Sequence, residues 1–261
     1  MKALLPQKVI PPKRLVFIAI YTFFQSYVLI NPFISAAINN NIKLTPFSFV
    51  LVAGNSRGHL IILSSVVIMF ADIEKLEKNN LIKATINIFI LSLIYEIIIF
   101  IACTIWTVPV ISLKCDWSGW SALKTQKLAD QFHYVLDYDE FLINAYNPIE
   151  ATMLQLLFDF WLIFVFALIM FTFGTCGKIS LGGLCVVFIL LFDSSIYNLF
   201  PVWVKKFSLV TLAMLTSYQR EEAKLGISFS YTAKVMFLVV FVIYFLFLIP
   251  IMYRQQKRQK V

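Results

Sequence analysis

The chain has 261 residues, a net charge of +8, 60% hydrophobic and 14% charged residues, and a mean hydropathy of +0.84. A water-soluble globule carries roughly a quarter of its residues as charged side chains, so this composition excludes one and marks an integral membrane protein. The basic residues gather beside apolar segments and at both ends, which fits contact with anionic lipid and not with nucleic acid.

The opening stretch, MKALLPQKVIPPKRL, is basic like a signal peptide. The apolar run after it is longer than a secretory h-region and lacks a clear small-residue cleavage site, so it reads as a retained tail leading into a first span. A hydrocarbon core of about 30 Å needs about 20 mostly apolar residues as helix, because backbone polar groups must be satisfied within the segment. Six segments meet that requirement: 15–37, 48–71, 84–110, 149–173, 179–201 and 233–253. The expected fold is therefore an all-α, polytopic, single transmembrane domain over 1–261 with six transmembrane helices. Two connections, 111–148 and 202–232, are long enough to hold short helices of their own.

Lysine and arginine in the connections set the orientation. With both termini cytoplasmic, the inner pieces carry twelve: Lys2, Lys8, Lys13 and Arg14; Lys75, Lys78 and Lys83; Lys178; and Arg254, Lys257, Arg258 and Lys260. The longer outer pieces carry eight: Lys43, Lys114, Lys124, Lys127, Lys205, Lys206, Arg220 and Lys224. Four of those eight fall in 202–232, more than a plain external loop would hold.

Four ionisable residues fall inside predicted spans: Arg57, Glu96, Asp159 and Asp193. Each lies within about four residues of its segment's middle, or roughly 6 Å along a helix, so one cation and three acids share a layer. Charges at that depth are costly and pair with one another or face a watery path. Arg57 is expected to pair with Glu96 on the next helix, with Asp159 as the competing partner. Alternatively, Arg57 and His59 occupy a bent, partly hydrated break marked by Gly54, Asn55 and Gly58, and both arrangements can hold at once. Trp117 and Trp120, beside the third span, fit an aromatic belt, while Tyr95, Trp106, Trp161 and Trp203 read as packing or interface residues. His133 reads as an outer-loop residue, and the acidic YVLDYDE run at 134–140 as a solvated face.

Little chemistry is left for an enzyme. Cys103, Cys115, Cys176 and Cys185 show no metal-binding or disulfide spacing. GTCGKIS at 174–180 lacks the spacing of a phosphate-binding loop and has Ile179 where the magnesium-binding hydroxyl belongs. The adjacent Glu221 and Glu222 resemble the diglutamate of CAAX-processing intramembrane proteases, but the following arginine and the later histidines of that family are missing. No metal or cofactor is expected. In FADIEKLEKNNLIK, 70–83, Glu74 and Lys78 stand at i, i+4 in the orientation that supports a short charged helix suited to docking a protein.

The order of these features resembles the permease subunits of type 2 ABC exporters, especially small stand-alone permeases of Firmicutes. The resemblance covers most of the chain: the basic N-terminal segment, FADIEK closing the second span, TVPVISL before DWSGWSAL, NPIEATMLQLLFDFWLIFVFALIMF, the tight turn GTCGK and FPVWVKKFSLVTLAMLTSY. It implies a multi-pass cell-membrane subunit that binds a separate ABC ATPase subunit, where ATP would bind, and a second permease copy or related permease. Under it, 72–83 is a cytoplasmic coupling loop contacting the ATPase through Asp72, Glu74, Lys75, Glu77 and Lys78. Residues 1–14 become an interfacial helix and 202–232 an external re-entrant segment. The implied cargo is peptide, lipid or drug-like. Arg57 and His59 depart from the continuous apolar second helix of that family. Two further classes stay open: an ion-coupled secondary transporter using Glu96, Asp159 and Asp193, and a non-transporting membrane assembly subunit.

Overall fold

The computed structural model describes residues 12–47, 81–125, 144–199, 201–215, 228–251 and 253. Among them the chain is helical and contains no strand, only an isolated parallel bridge between Leu44 and Ile111. The helices are α1 (Pro12–Asn39), α2 (Leu81–Thr107), α3 (Ser118–Thr125), α4 (Pro148–Thr175), α5 (Ile179–Leu199), α6 (Leu209–Ala213) and α7 (Phe229–Val242). A 3-10 turn, Val108–Val110, follows α2, another, Val202–Phe207, follows α5, and α7 runs on as a π-helical stretch, Ile243–Leu248.

Among the described residues four helices are long and apolar enough to cross a membrane: Leu15–Asn39, Leu81–Val110, Pro148–Thr175 and Ser230–Ile251. They match the predicted first, third, fourth and sixth spans. The predicted fifth span is helical over Ile179–Leu199, with a shorter apolar stretch at Ile179–Phe192, and the predicted second span lies outside the described residues. Two boundaries move: Leu81–Lys83, expected in the coupling loop, open α2, and Phe229–Thr232, expected in the external segment, open α7. Leu81 and Ile82 lengthen the apolar run of α2, and Ser228 starts α7 early by accepting from the Tyr231 amide at 3.2 Å.

The ends of these helices are written in the sequence. Asn147 accepts from the Glu150 amide at 2.9 Å while the Glu150 carboxylate accepts from the Asn147 amide at 3.1 Å, a capping box with Pro148 at the first helical position. α4 stops in a Schellman turn: the Lys178 amide donates to Phe173 O and the Gly177 amide to Gly174 O, each at 2.9 Å, with Gly177 at φ +71°. α1 stops the same way on a different residue. The Ile42 amide donates to Ala37 O at 2.8 Å and the Asn41 amide to Ile38 O at 3.1 Å, with Asn41 at φ +53°.

Contacts fix the helix directions. The Leu44 amide donates to Val110 O at 2.7 Å and the Ser112 amide to Leu44 O at 2.8 Å, so the C-terminal ends of α1 and α2 meet and the two helices run parallel. The Trp106 indole donates to Phe23 O at 2.9 Å along their seam. α4 runs against α2, since the Phe89 ring meets Phe160 and Phe164 while Phe100 lies beside Phe47, whose carbonyl accepts from the Thr152 hydroxyl. α5 returns antiparallel to α4 through the Gly177 turn. α7 runs against α2: near its start the Tyr231 hydroxyl donates to Lys206 O, and near its end the Tyr244 hydroxyl lies 3.0 Å from that of Thr85. Pro12 and Ile251 consequently lie at the same end of the bundle.

α4 is the central helix, packed by α2, α5, α6 and α7. Trp117 and Trp120 are buried and therefore do not form the lipid-facing belt expected of them. Instead the Trp117 indole donates to Tyr146 O at 2.8 Å and Trp120 packs on Phe33, clamping α3 over the ends of α1 and α2.

Candidate functional site

α2 is apolar nearly all round, so its buried face is distinguished by small and polar groups and not by hydrophobicity. Ala84, Asn87, Ile88, Leu91, Ser92, Tyr95, Glu96, Ile99 and Cys103 are buried at spacings of three and four, while Ile82, Ile86, Phe89, Leu93, Ile97, Ile101 and Ile105 are exposed on the other side. This is the pattern expected when the outer solvent is lipid: polar groups turn inward, because lipid offers them no hydrogen bond.

The antiparallel register of α2 and α4 brings Glu96 level with Gln155 and Asp159, and Glu96 and Asp159 interact electrostatically. Both carboxylic side chains are 5% exposed and Gln155 is fully buried. The Gln155 amide nitrogen donates to Asp159 Oδ1 and to Ala213 O, each at 2.9 Å, and its oxygen accepts from the Leu215 amide at 3.0 Å. One side chain thus satisfies the backbone at the open C-terminal end of α6, while Ser208 caps the other end by accepting from the Thr211 amide at 3.2 Å. Glu96 is different: neither of its oxygens has a hydrogen-bond partner among the described residues. Toward the other end of the same seam, the Ser26 hydroxyl donates to Thr22 O at 2.8 Å and lies against the Cys103 thiol.

Of the residues singled out from sequence, Glu96 and Asp159 are brought together at one depth. Asp193 lies on α5, its side chain outside the described residues. Arg57 and His59, and Asp72, Glu74, Lys75, Glu77 and Lys78, lie outside the described residues, as does His133. The reading from sequence missed Gln155, which ties the end of α6 to α4. Its signal was available: a glutamine four residues before an aspartate inside an apolar run places two hydrogen-bonding groups on one helix face. Among the described residues no group of three or more metal-ligating side chains converges. Chemically, the cluster can hold a small positive charge between two carboxyl groups and can anchor a short helix inside the bundle.

Comparison of the chain with protein-family models, curated proteins and solved structures finds no match.

Proposed function

We propose that this protein is the membrane-spanning permease subunit of an ABC exporter, working with a separate ATPase subunit and a second permease copy to move peptide, lipid or drug-like cargo. The observation that carries the reading is the segment between α5 and α7. A 3-10 turn and the short helix α6 leave the end of α5, and Val210, Thr211, Leu212 and Ala213 are buried against α4, where Gln155 holds them. A polar-capped short helix packed on the bundle before the last span supports the re-entrant element that the resemblance implies, a role in which Lys205 and Lys206 would lie at the headgroups.

The helix directions support six crossings. α1 and α2 run parallel with adjoining ends, which supports the reading of one further span between them in the sequence. Six crossings put both termini on one side, and the lysine and arginine distribution makes that side cytoplasmic. The coupling loop then opens to the cytoplasm. Closing of the ATPase subunits on nucleotide would push on Asp72, Glu74, Lys75, Glu77 and Lys78 and shift the bundle between inward- and outward-open states by differential contacts.

The test is purification of the tagged protein from its native membrane in mild detergent, with identification of co-purifying chains and assay of ATP hydrolysis. Recovery of an ATP-binding subunit, lost when Asp72, Glu74, Lys75 and Lys78 are changed to Ala, is the expected result. A chain that purifies alone without nucleotide hydrolysis would sink the permease reading and turn attention to an ion-coupled carrier.

A further inference from the structure

We infer that Glu96, with Asp159 beside it, forms a proton-binding site in the interior of the bundle, the pair of carboxyl groups holding one proton. The inference stands on the packing of α2 against α4 and holds whether or not an ATPase partner exists.

The geometry leaves few alternatives for this pair. Glu96 and Asp159 are each 5% exposed and stand on facing helices whose antiparallel register sets them at similar depth. Two negative charges so placed repel in a medium that cannot screen them, and each separately forfeits its hydration. Asp159 has the Gln155 amide as a donor, whereas both Glu96 oxygens lack a partner among the described residues. A carboxylate needs donors; a carboxylic acid carries its own. The elements packed around Glu96 bring no neutralising cation among the described side chains. α4 faces it with Asp159 and the uncharged Gln155; α1 offers the hydroxyls of Thr22 and Ser26, its charged residues Lys13 and Arg14 standing in its first turn; α2 itself adds Tyr95 and Cys103.

The site also has a mechanical neighbour. Gln155 donates to Asp159 with one amide hydrogen and to Ala213 O with the other, while its oxygen holds the Leu215 amide. Loss of the proton from Glu96 would place a second negative charge beside Asp159, the acceptor of the first bond. The short helix α6 is therefore one side chain away from the protonation state of the pair.

Infrared spectroscopy of the full-length protein in lipid vesicles, recorded over a pH series in water and in deuterium oxide, tests this directly. A protonated carboxyl gives a carbonyl stretch that shifts on deuteration, which separates it from lipid ester carbonyls, and exposed carboxyl groups are ionised at neutral pH. The expected result is such a band at neutral pH in the wild type, lost in Glu96→Gln and kept in Asp193→Asn, the control for the third intramembrane acid. In Asp159→Asn the band should change in position or intensity, because the carboxyl group beside the proton is gone. Glutamine is shaped like the neutral acid, so Glu96→Gln should also elute as the folded wild type does. The wild-type spectrum alone decides the matter should a variant misfold. Absence of any deuterium-sensitive carboxyl band at neutral pH would overturn the inference. So would a band that appears only in Arg57→Gln, since it would show the pair ionised and held by that arginine.

Discussion

α4 and α7 have nearly equal mean hydropathy, 2.4 and 2.7 over their most apolar windows, yet 67% of that window is buried in α4 and 17% in α7. Lipid is as apolar as leucine, so hydrophobicity does not sort membrane helices into inner and outer ones. Polar anchors and close packing do. α4 carries Gln155 and Asp159 inward and receives α5 against its backbone, with Gly182 so near Met170 Cα that an added Cβ would lie 2.9 Å away. α7 presents Phe237, Leu238, Phe241, Phe245 and Leu246 outward. Its polar tie to α2 is the contact between the Tyr244 and Thr85 hydroxyls.

The contrast is tested most strongly at its polar anchors. Gln155→Leu strands Ala213 O and the Leu215 amide and should cost about 3 kcal/mol or more, whereas Tyr244→Phe should cost less than about 1 kcal/mol. Thermal unfolding of the two variants in one detergent gives the comparison, and equal losses would break it. Next come the aromatics. Phe166→Ala, in the fully buried middle of α4, should cost about 2 kcal/mol or more, and Phe241→Ala on the exposed face of α7 within about 0.5 kcal/mol. A large loss at Phe241 with a fall in apparent mass on gel filtration would mean that another copy covers this face of α7.

Smaller effects test how the ends of the bundle are fastened. A Cβ on Gly119 would meet Lys43 O at 2.0 Å, so Gly119→Ala should cost about 2 kcal/mol by pushing α3 off the ends of α1 and α2; unchanged fluorescence of Trp117 and Trp120 would contradict this. Gly177→Ala should cost about 1 kcal/mol, since the left-handed turn between α4 and α5 favours a residue without Cβ. The smallest effect lies outside the membrane. Hydrogen bonds from the Ser118 hydroxyl and amide hold the Asp116 carboxyl below the usual aspartate range, with a lesser contribution from the charge of Lys114. A depressed value means the carboxylate's contribution is complete above the ordinary aspartate range and is lost as pH falls through the depressed value. Ser118→Ala should return the Asp116 titration, followed by NMR, upward toward the ordinary value.

Much of the architecture was legible because the bilayer imposes it. Apolar runs of about 20 residues had to be helices, and the tight turn GTCGK was visible between two of them, whereas the capping box of Asn147 and Glu150, though local, was not read. The acids Glu96 and Asp159 could be assigned one depth by counting residues from their helix ends. What could not be read was facing. Trp117 and Trp120 looked like belt residues because their position along the membrane normal suits one, but whether an indole faces lipid or protein depends on α3 folding over α1. Gln155 was overlooked because its partners Ala213 and Leu215 are backbone groups nearly sixty residues away, and no local pattern encodes them.

The sequence by itself determined that the chain is apolar enough for a membrane and which of the described apolar runs are helical, because each follows from composition or from spacing within one segment. Only the tertiary structure decided that α4 is the centre and α7 the rim, that α1 and α2 run parallel, and that Gln155 ties α6 to Asp159 beside a Glu96 with no hydrogen-bond partner among the described residues. Those features are contacts between helices that are equally apolar. In lipid the choice among such helices rests on shape and hydrogen bonds, which exist only once the partners have met.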